Sequence, residues 1–352
     1  MKKTLLWFLK AFLAAVTAFC VISVFCFFYC NQPSHHTTPT KATDYYWDQN
    51  SLSFLGTEGF AFTKTDENGY VNTYPKQSDE IDILLMGSSH TEGFNVDETE
   101  NYAYQLNNLL AENNKNMYAY NIGTSGHTLS RCLRNLESAT NEFKPSKYII
   151  IETSTLTIPL KDLQNLDNGT HDLLPSYDSG PVYYLQKSDF FRRVYSQFSN
   201  VMKTNNTSKN TVSPSDNKGS ILSDASSDSS HVVETDPYEV YLEKALKNAS
   251  NIAKENGCKL VILHNAELGI DYNGNVEAFQ ITEDIKKFQS ICEKYDIDIV
   301  NMHPIFSQAY NETFELPQGF SNTAVGRGHI NKRGHSEIAK ELYRYITEDN
   351  NV

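Results

Sequence analysis

Ile81-Asp82-Ile83-Leu84-Leu85-Met86-Gly87-Ser88-Ser89-His90-Thr91-Glu92-Gly93 is the stretch whose reading decides the fold. Its first half is a short, nearly continuous apolar run of the kind buried on both faces of a parallel sheet. At Gly87 the run breaks into small and polar residues, which let a chain turn sharply and expose a hydroxyl at the start of a helix. Outward from this point the pattern alternates. Asn101 to Glu112 has a helical period, Met117 to Ile122 reads as a strand, Leu129 to Asn141 as a helix and Tyr148 to Ile151 as a third strand. Strand, helix, strand at this spacing is the βαβ unit, which implies parallel pairing. Farther on, Tyr238 to Glu255 and Ala278 to Lys294 read as helices, Lys259 to Leu263 and Ile297 to Asn301 as strands, and Gly334 to Ile346 as a closing helix. The simplest architecture is an α/β fold in which helices cover a parallel sheet of about five strands.

Ahead of the sheet, Ala11 to Tyr29 (AFLAAVTAFCVISVFCFFY) is an apolar run long enough for the ~30 Å hydrocarbon core of a bilayer. Lys2, Lys3 and Lys10 precede it, and no Lys or Arg follows until Lys41. The positive-inside bias therefore places residues 1–10 in the cytoplasm, 11–30 across the membrane and the remainder outside. FCFFYC offers bulky aromatics where a signal-peptide cleavage site wants small residues, which favours an uncleaved anchor over a signal peptide or a lipoprotein signal cut before Cys30. Residues 31–44 read as a polar juxtamembrane spacer that packs against nothing, and 45–348 as one domain. Within it, about 204–237 is dominated by Ser, Asn, Asp and Thr and reads as a disordered insertion, because it cannot bury enough apolar surface to offset ordering entropy. The aromatic-rich segment before it, Pro181 to Met202, reads as a helical flap near the site or as a core helix.

A net charge of -13 excludes a nucleic-acid partner, since phosphate binding needs clustered Lys and Arg. Cys132, Cys258 and Cys292 are the cysteines beyond the apolar run; they form no CxxC and show no Cys/His ligand spacing, so no metal site is signalled. Neither a Walker nor a dinucleotide fingerprint is present, no cofactor is expected, and the absence of a GxSxG elbow disfavours the ordinary α/β-hydrolase fold.

Ligands of open α/β sheets bind beyond the carboxyl ends of the strands, so the loops that follow the strands carry the chemistry. MGSSHTEG resembles the first sequence block of the SGNH/GDSL hydrolases, usually GDS followed by three residues and Gly. The likeness puts Ser89 on the nucleophile and Gly93 on the trailing glycine, with Ser88 where the family has Asp. Asn121-Ile122-Gly123-Thr124-Ser125-Gly126-His127-Thr128 resembles the second block, which implies that the Gly126 N–H joins that of Ser89 in binding an oxyanion. Gly328-His329-Ile330-Asn331-Lys332-Arg333-Gly334-His335 resembles the last block, with His329 as base. The Asp expected three residues earlier is replaced by Gly326, which leaves open a Ser-His dyad or a carboxylate supplied from elsewhere. The third block lacks its Asn and reads Ile151-Glu152-Thr153-Ser154-Thr155, so Thr153, Ser154 or Thr155 is left as a hydroxyl donor. Glu152 is a candidate for the orphan acid, and Glu267, after the fourth strand in HNAELGID, is another. His90 and His127 flank the expected site and read as structural or substrate-facing, and His335 as a helix cap or surface group.

The resemblance covers about Gly69 to Ile151 and Gly319 to Ile346 and implies a flavodoxin-like, three-layer α/β/α SGNH-hydrolase fold. Asn68 to Asn72 and Gly93 to Asp97 also resemble a subgroup linked with polysaccharide O-acylation. That implies an extracytoplasmic, membrane-anchored serine esterase or acyltransferase acting on O-acetyl or similar groups of cell-surface polysaccharide, with a membrane-bound O-acyltransferase as partner. The competing expectation is a catalytically degenerate glycan-binding or assembly protein, favoured by the two missing block residues. A carboxylate within reach of His329 discriminates between them.

Overall fold

The computed structural model describes residues 2–33, 35–37, 42–75, 80–169, 190–191 and 236–349. The expected insertion at 204–237 and the expected flap at 181–202 lie outside them, apart from Asp236, Pro237 and the pair Phe190 and Phe191.

A single parallel sheet organises the domain. Its strands are β5 (Ile83–Met86), β6 (Ala119–Asn121), β7 (Tyr148–Thr153), β8 (Lys259–His264) and β9 (Asp298–Asn301), preceded by β1 to β4 in two separate hairpin-like pairs. The five-stranded order is β6-β5-β7-β8-β9, and every pairing is parallel. This is the flavodoxin-like order, in which the chain leaves the first strand of the sheet in one direction and returns to continue in the other. The crevice at that switch point opens at the carboxyl end of β5, where Gly87 to Gly93 follow.

Alternation along β5 explains both covering layers. Leu84 and Met86 face a core completed by α4 (Leu129–Phe143), α6 (Pro237–Glu255) and α7 (Glu283–Lys294), which contribute Leu136, Leu246 and Phe288. Ile83 and Leu85 face the opposite core, with Leu106 from α3 (Tyr102–Glu112), Phe306 from α8 (Met302–Thr313) and Leu342 from α9 (Lys332–Asp349). All four β5 side chains are buried, as a run without polar alternation requires. The sequence reading passes over two helices, α5 (Leu160–Asn168) and α8. Each begins around a proline: Pro159 sits at the N-cap of α5 and Pro304 in the first turn of α8, where a missing N–H costs nothing. The helix expected from Ala278 starts at Glu283 instead, because the Thr282 side chain accepts from the Ile285 N–H and caps it there.

Upstream of the sheet the structure corrects the expectation of a free spacer. β1 (His35–Thr37) pairs antiparallel with β2 (Tyr45–Trp47), and β3 (Leu52–Leu55) with β4 (Ala61–Lys64). Ala42 is wholly buried, and its N–H donates to Glu142 Oε2 of α4 at 3.0 Å. Residues 35–37 and 42–44 therefore pair with or pack against the domain. It is preceded by α1 (Lys2–Cys30), which by length and composition suffices to cross a membrane, with a mean hydropathy of 2.5 over its apolar stretch.

Leu136 is fully buried at the centre of the first core. Leu136→Ala is expected to cost about 3 kcal/mol, read as a lower urea midpoint with an unchanged slope.

Candidate active site

The turn after β5 is built around a buried carboxylate. Glu152, near the carboxyl end of the neighbouring β7, accepts at Oε2 from the Ser88 N–H (2.8 Å), the Ser88 hydroxyl (2.9 Å) and the Thr91 hydroxyl (2.9 Å). A Cβ at residue 87 would stand 2.5 Å from the same oxygen and 2.1 Å from Thr91 Oγ1, so only glycine fits there. Ser88 then caps the short helix α2 (Ser89–Glu92) by accepting from the His90 N–H, and Gly93 ends it in the left-handed region at φ 76°. Ser88 holds the turn through both its hydroxyl and its N–H, each of which donates to Glu152.

Ser89, at the first position of α2, meets His329 from the loop before α9. Its Oγ lies 2.9 Å from His329 Nε2. His329 Nδ1 lies 2.6 Å from Glu58 Oε2, and the His329 N–H donates to Glu58 Oε1 at 3.2 Å. Glu58 sits in the turn of the β3–β4 hairpin and is the carboxylate that the sequence reading lacked. Glu152 and Glu267 are not that acid. Glu152 supports the turn that carries Ser88 and Ser89 from below, and Glu267 Oε1 accepts from the Gly328 N–H at 3.0 Å, which steadies the loop carrying His329.

Glycines explain how a distant carboxylate enters. Gly326, where the family has its acid, adopts φ 81°, a conformation that would strain an Asp. Gly328 has φ 89°, and a Cβ there would approach Glu58 Oε1 to 2.9 Å. The hairpin turn is in turn pinned to this loop by Asn322, whose Oδ1 accepts from the Gly59 N–H and whose Nδ2 donates to the carbonyls of Gly56 and Gly59.

His90 is a structural neighbour of the site. Its ring packs edge-on to that of His329 with centroids 5.5 Å apart, and its Nδ1 lies 3.5 Å from Glu152 Oε1. Burial alone would disfavour charge on either partner. Instead the hydrogen bond and charge of Glu152 raise the His90 pKa, while His90 and Ser88 hold the Glu152 carboxyl below its ordinary value. The His90 Nδ1 also lies 2.9 Å from the side-chain amide nitrogen of Asn265.

His335 is neither a cap nor a surface group. It is 1% exposed, and its Nδ1 accepts from the Tyr102 N–H at 3.1 Å; burial, aided by the charge of His90, lowers its pKa to about 3. It ties α9 to the start of α3 as a neutral ring. His127 is also buried, with Nε2 3.5 Å from Asp44.

Gly126 lies in the loop after β6, at φ 79° and on the surface. That loop is clamped to α2: Gly123 packs so closely that a Cβ would stand 2.3 Å from the Glu92 N, and Asn121 Nδ2 donates to the Thr91 carbonyl at 2.7 Å. A cleft of about 590 Å³ is lined by Ser88, the neighbour of Ser89, and by Thr128, Ser130, Thr153, Ser154 and Thr155 among others. Ser154 thus lines the cleft, with its neighbours of the same strand end.

No protein-family model and no curated protein matches the chain. Solved structures do. The chain is similar to the psychrotrophic esterase EstA from Pseudoalteromonas sp., at 14% identity over 77% of this chain and 98% of that one, TM-score 0.40. A two-domain esterase active on acetylated mannans matches at 14% identity over 76% of this chain and 49% of its own, TM-score 0.39. A member of the lipolytic G-D-S-L family from Veillonella parvula matches at 13% identity over 75% and 97%, TM-score 0.37. Each is a likeness of fold.

Glu92 closes the arrangement from the far side of α2. Its buried carboxyl accepts from Trp47 Nε1 at 2.5 Å and from the Ser125 hydroxyl, and burial raises its pKa to about 7. The ordinary value is 4.5, so the unfolded chain releases this proton first and stability falls as the pH rises between the two values. Glu92→Gln keeps a partner for Trp47 and for Ser125. It is expected to gain up to ~3 kcal/mol relative to the parent between about pH 4 and about pH 8, measured by urea unfolding at each pH.

Proposed function

We propose that the chain is a membrane-anchored serine esterase or acyltransferase that acts on O-acyl groups, O-acetyl foremost, of cell-surface polysaccharide. The observation that carries the chemistry is the unbroken line from Ser89 Oγ through His329 to Glu58, with steps of 2.9 and 2.6 Å. A neutral His329 with its proton on Nδ1, donated to Glu58, presents a lone pair at Nε2 to the Ser89 hydroxyl. His329 takes that proton as Ser89 Oγ bonds to the acyl carbon, and the carbonyl oxygen becomes an oxyanion. In this reading the backbone N–H groups of Ser89 and Gly126 receive the oxyanion. The tetrahedral intermediate collapses by breaking the bond to the leaving alcohol, which leaves with the proton from His329. The acyl group, now an ester of Ser89, then passes to water or to a sugar hydroxyl by the same steps in reverse.

The presence of Glu58 beside His329 favours this over a degenerate binding protein, because it answers one of the two missing block residues on which that alternative rested, the acid absent at Gly326. The cleft next to Ser88 combines hydroxyls of Thr128, Ser130 and Ser154 with the apolar side chains of Leu129, Ile158 and Leu160, a mixed lining compatible with an acylated alcohol. The substrate class and a membrane-bound O-acyltransferase as partner rest on the sequence resemblance.

α1 is read here as an anchor rather than a cleaved signal. Support comes from its end: Cys30 and Asn31 form antiparallel bridges with Leu55 and Phe54 of β3, and the Gly56 N–H donates to the Tyr29 carbonyl at 2.7 Å. A cut there would remove the partner of the strand that leads to Glu58.

The test is release of p-nitrophenol from p-nitrophenyl acetate by the full chain. Ser89→Ala and His329→Ala are expected to abolish turnover, and Glu58→Gln to lower kcat by about 10²- to 10⁴-fold with KM little changed. Turnover unaffected by Ser89→Ala would overturn the proposal. An unaltered rate in Glu58→Gln would reduce the site to a Ser-His dyad.

A further inference from the structure

The β3–β4 hairpin turns large apolar side chains outward. Its inner face carries Ser53, Leu55, Ala61 and Thr63, all buried, whereas Leu52, Phe60 and Phe62 point outward with 43%, 71% and 38% of their surfaces exposed. Phe54, outward and half-buried, pairs across the strands with Phe62, ring centroids 5.0 Å apart. An antiparallel pair with one face in water ordinarily turns its polar residues that way.

The apolar face does not stop at the hairpin. Phe54 packs against Phe27 and Phe28 in the last turns of α1, at 5.6 and 5.8 Å between centroids, and those two rings are themselves largely exposed. The chain leaving α1 bridges onto β3, and Gly56 leaves room for the Tyr29 ring, which a Cβ would approach to 2.7 Å. Helix end and hairpin therefore form one aromatic surface, bordered by the exposed Lys64 at the far end of β4. Aromatic rings with a flanking cationic side chain are the composition of a membrane–water boundary.

We propose that this phenylalanine face rests on the lipid bilayer where α1 emerges, so that the turn carrying Glu58 is held at the membrane surface. The occupant follows from continuity: the surface extends from a helix whose own sides are apolar and unburied over the length of a membrane span. The inference rests on α1 as an uncleaved anchor and not on the chemistry of Ser89. Its consequence for that chemistry is that the site meets acyl groups presented close to the lipid headgroups.

The experiment places the full chain in nanodiscs whose lipids carry brominated acyl chains, which quench nearby tryptophan. In a Trp7→Phe background, Phe60→Trp is compared with Asn116→Trp, which lies in an exposed turn at the amino edge of the sheet, opposite Ser89. Phe60→Trp is expected to lose about half of its added emission and to shift to the blue, whereas Asn116→Trp loses none. Equal behaviour of the two probes would overturn the proposal. Native Trp7 in the parent chain reports the helix separately: Trp7 quenched with Phe60→Trp unquenched leaves the anchor standing and removes the hairpin from the membrane. Neither probe reads activity, so the outcome is independent of the esterase reading.

Discussion

The carboxylate of Glu152 is the constraint from which the site is assembled. A charge at the end of a central strand, shut off from water, is tolerable only when its lone pairs are filled by donors held in place. Here the donors are the N–H and hydroxyl of Ser88 and the hydroxyl of Thr91, with His90 completing an ion pair. Satisfying that charge fixes the turn between β5 and α2, and the turn fixes Ser89. Gly87 follows from the same demand, since any side chain there would occupy the space the carboxylate needs. The sheet contributes register: Met86 pairs with Ile151, so the turn that carries Ser89 stands beside the strand end that carries Glu152.

Much of this was legible because local patterns encode it. Unpolarised apolar runs mark the parallel strands, since both faces of each are covered, and the small-residue break after Met86 marks the half-buried Ser89. His329 was found through its local block. Glu58 was not, for a physical reason: its partner is 271 residues away, and nothing periodic around it distinguishes an acid in a hairpin turn from an ordinary surface glutamate. The signal that existed was indirect. Gly326 leaves no side chain where an acid was expected, and the bare backbone of Gly328, where a Cβ would stand 2.9 Å from Glu58 Oε1, is what admits a carboxylate from another element.

The N-terminal hairpins escaped notice for a related reason. β3 and β4 carry apolar residues on both faces, Leu55 and Ala61 inward and Leu52, Phe54 and Phe62 outward, so no clean period-two alternation marks them as a strand pair. The outward set makes sense once that side of the hairpin is granted a solvent other than water. His335 was misread for the opposite reason: a histidine at the start of an amphipathic helix looks peripheral until the neighbouring helix supplies a backbone N–H for its ring.

Chain order gives the closure of the site a timing. Glu58 and Ser89 belong to the first third of the chain, whereas His329 lies 271 and 240 residues beyond them, just before the last helix. During synthesis the serine is made long before the imidazole that faces it exists. The line from Ser89 through His329 to Glu58 therefore closes as a late event, at the moment the two ends of the polypeptide meet.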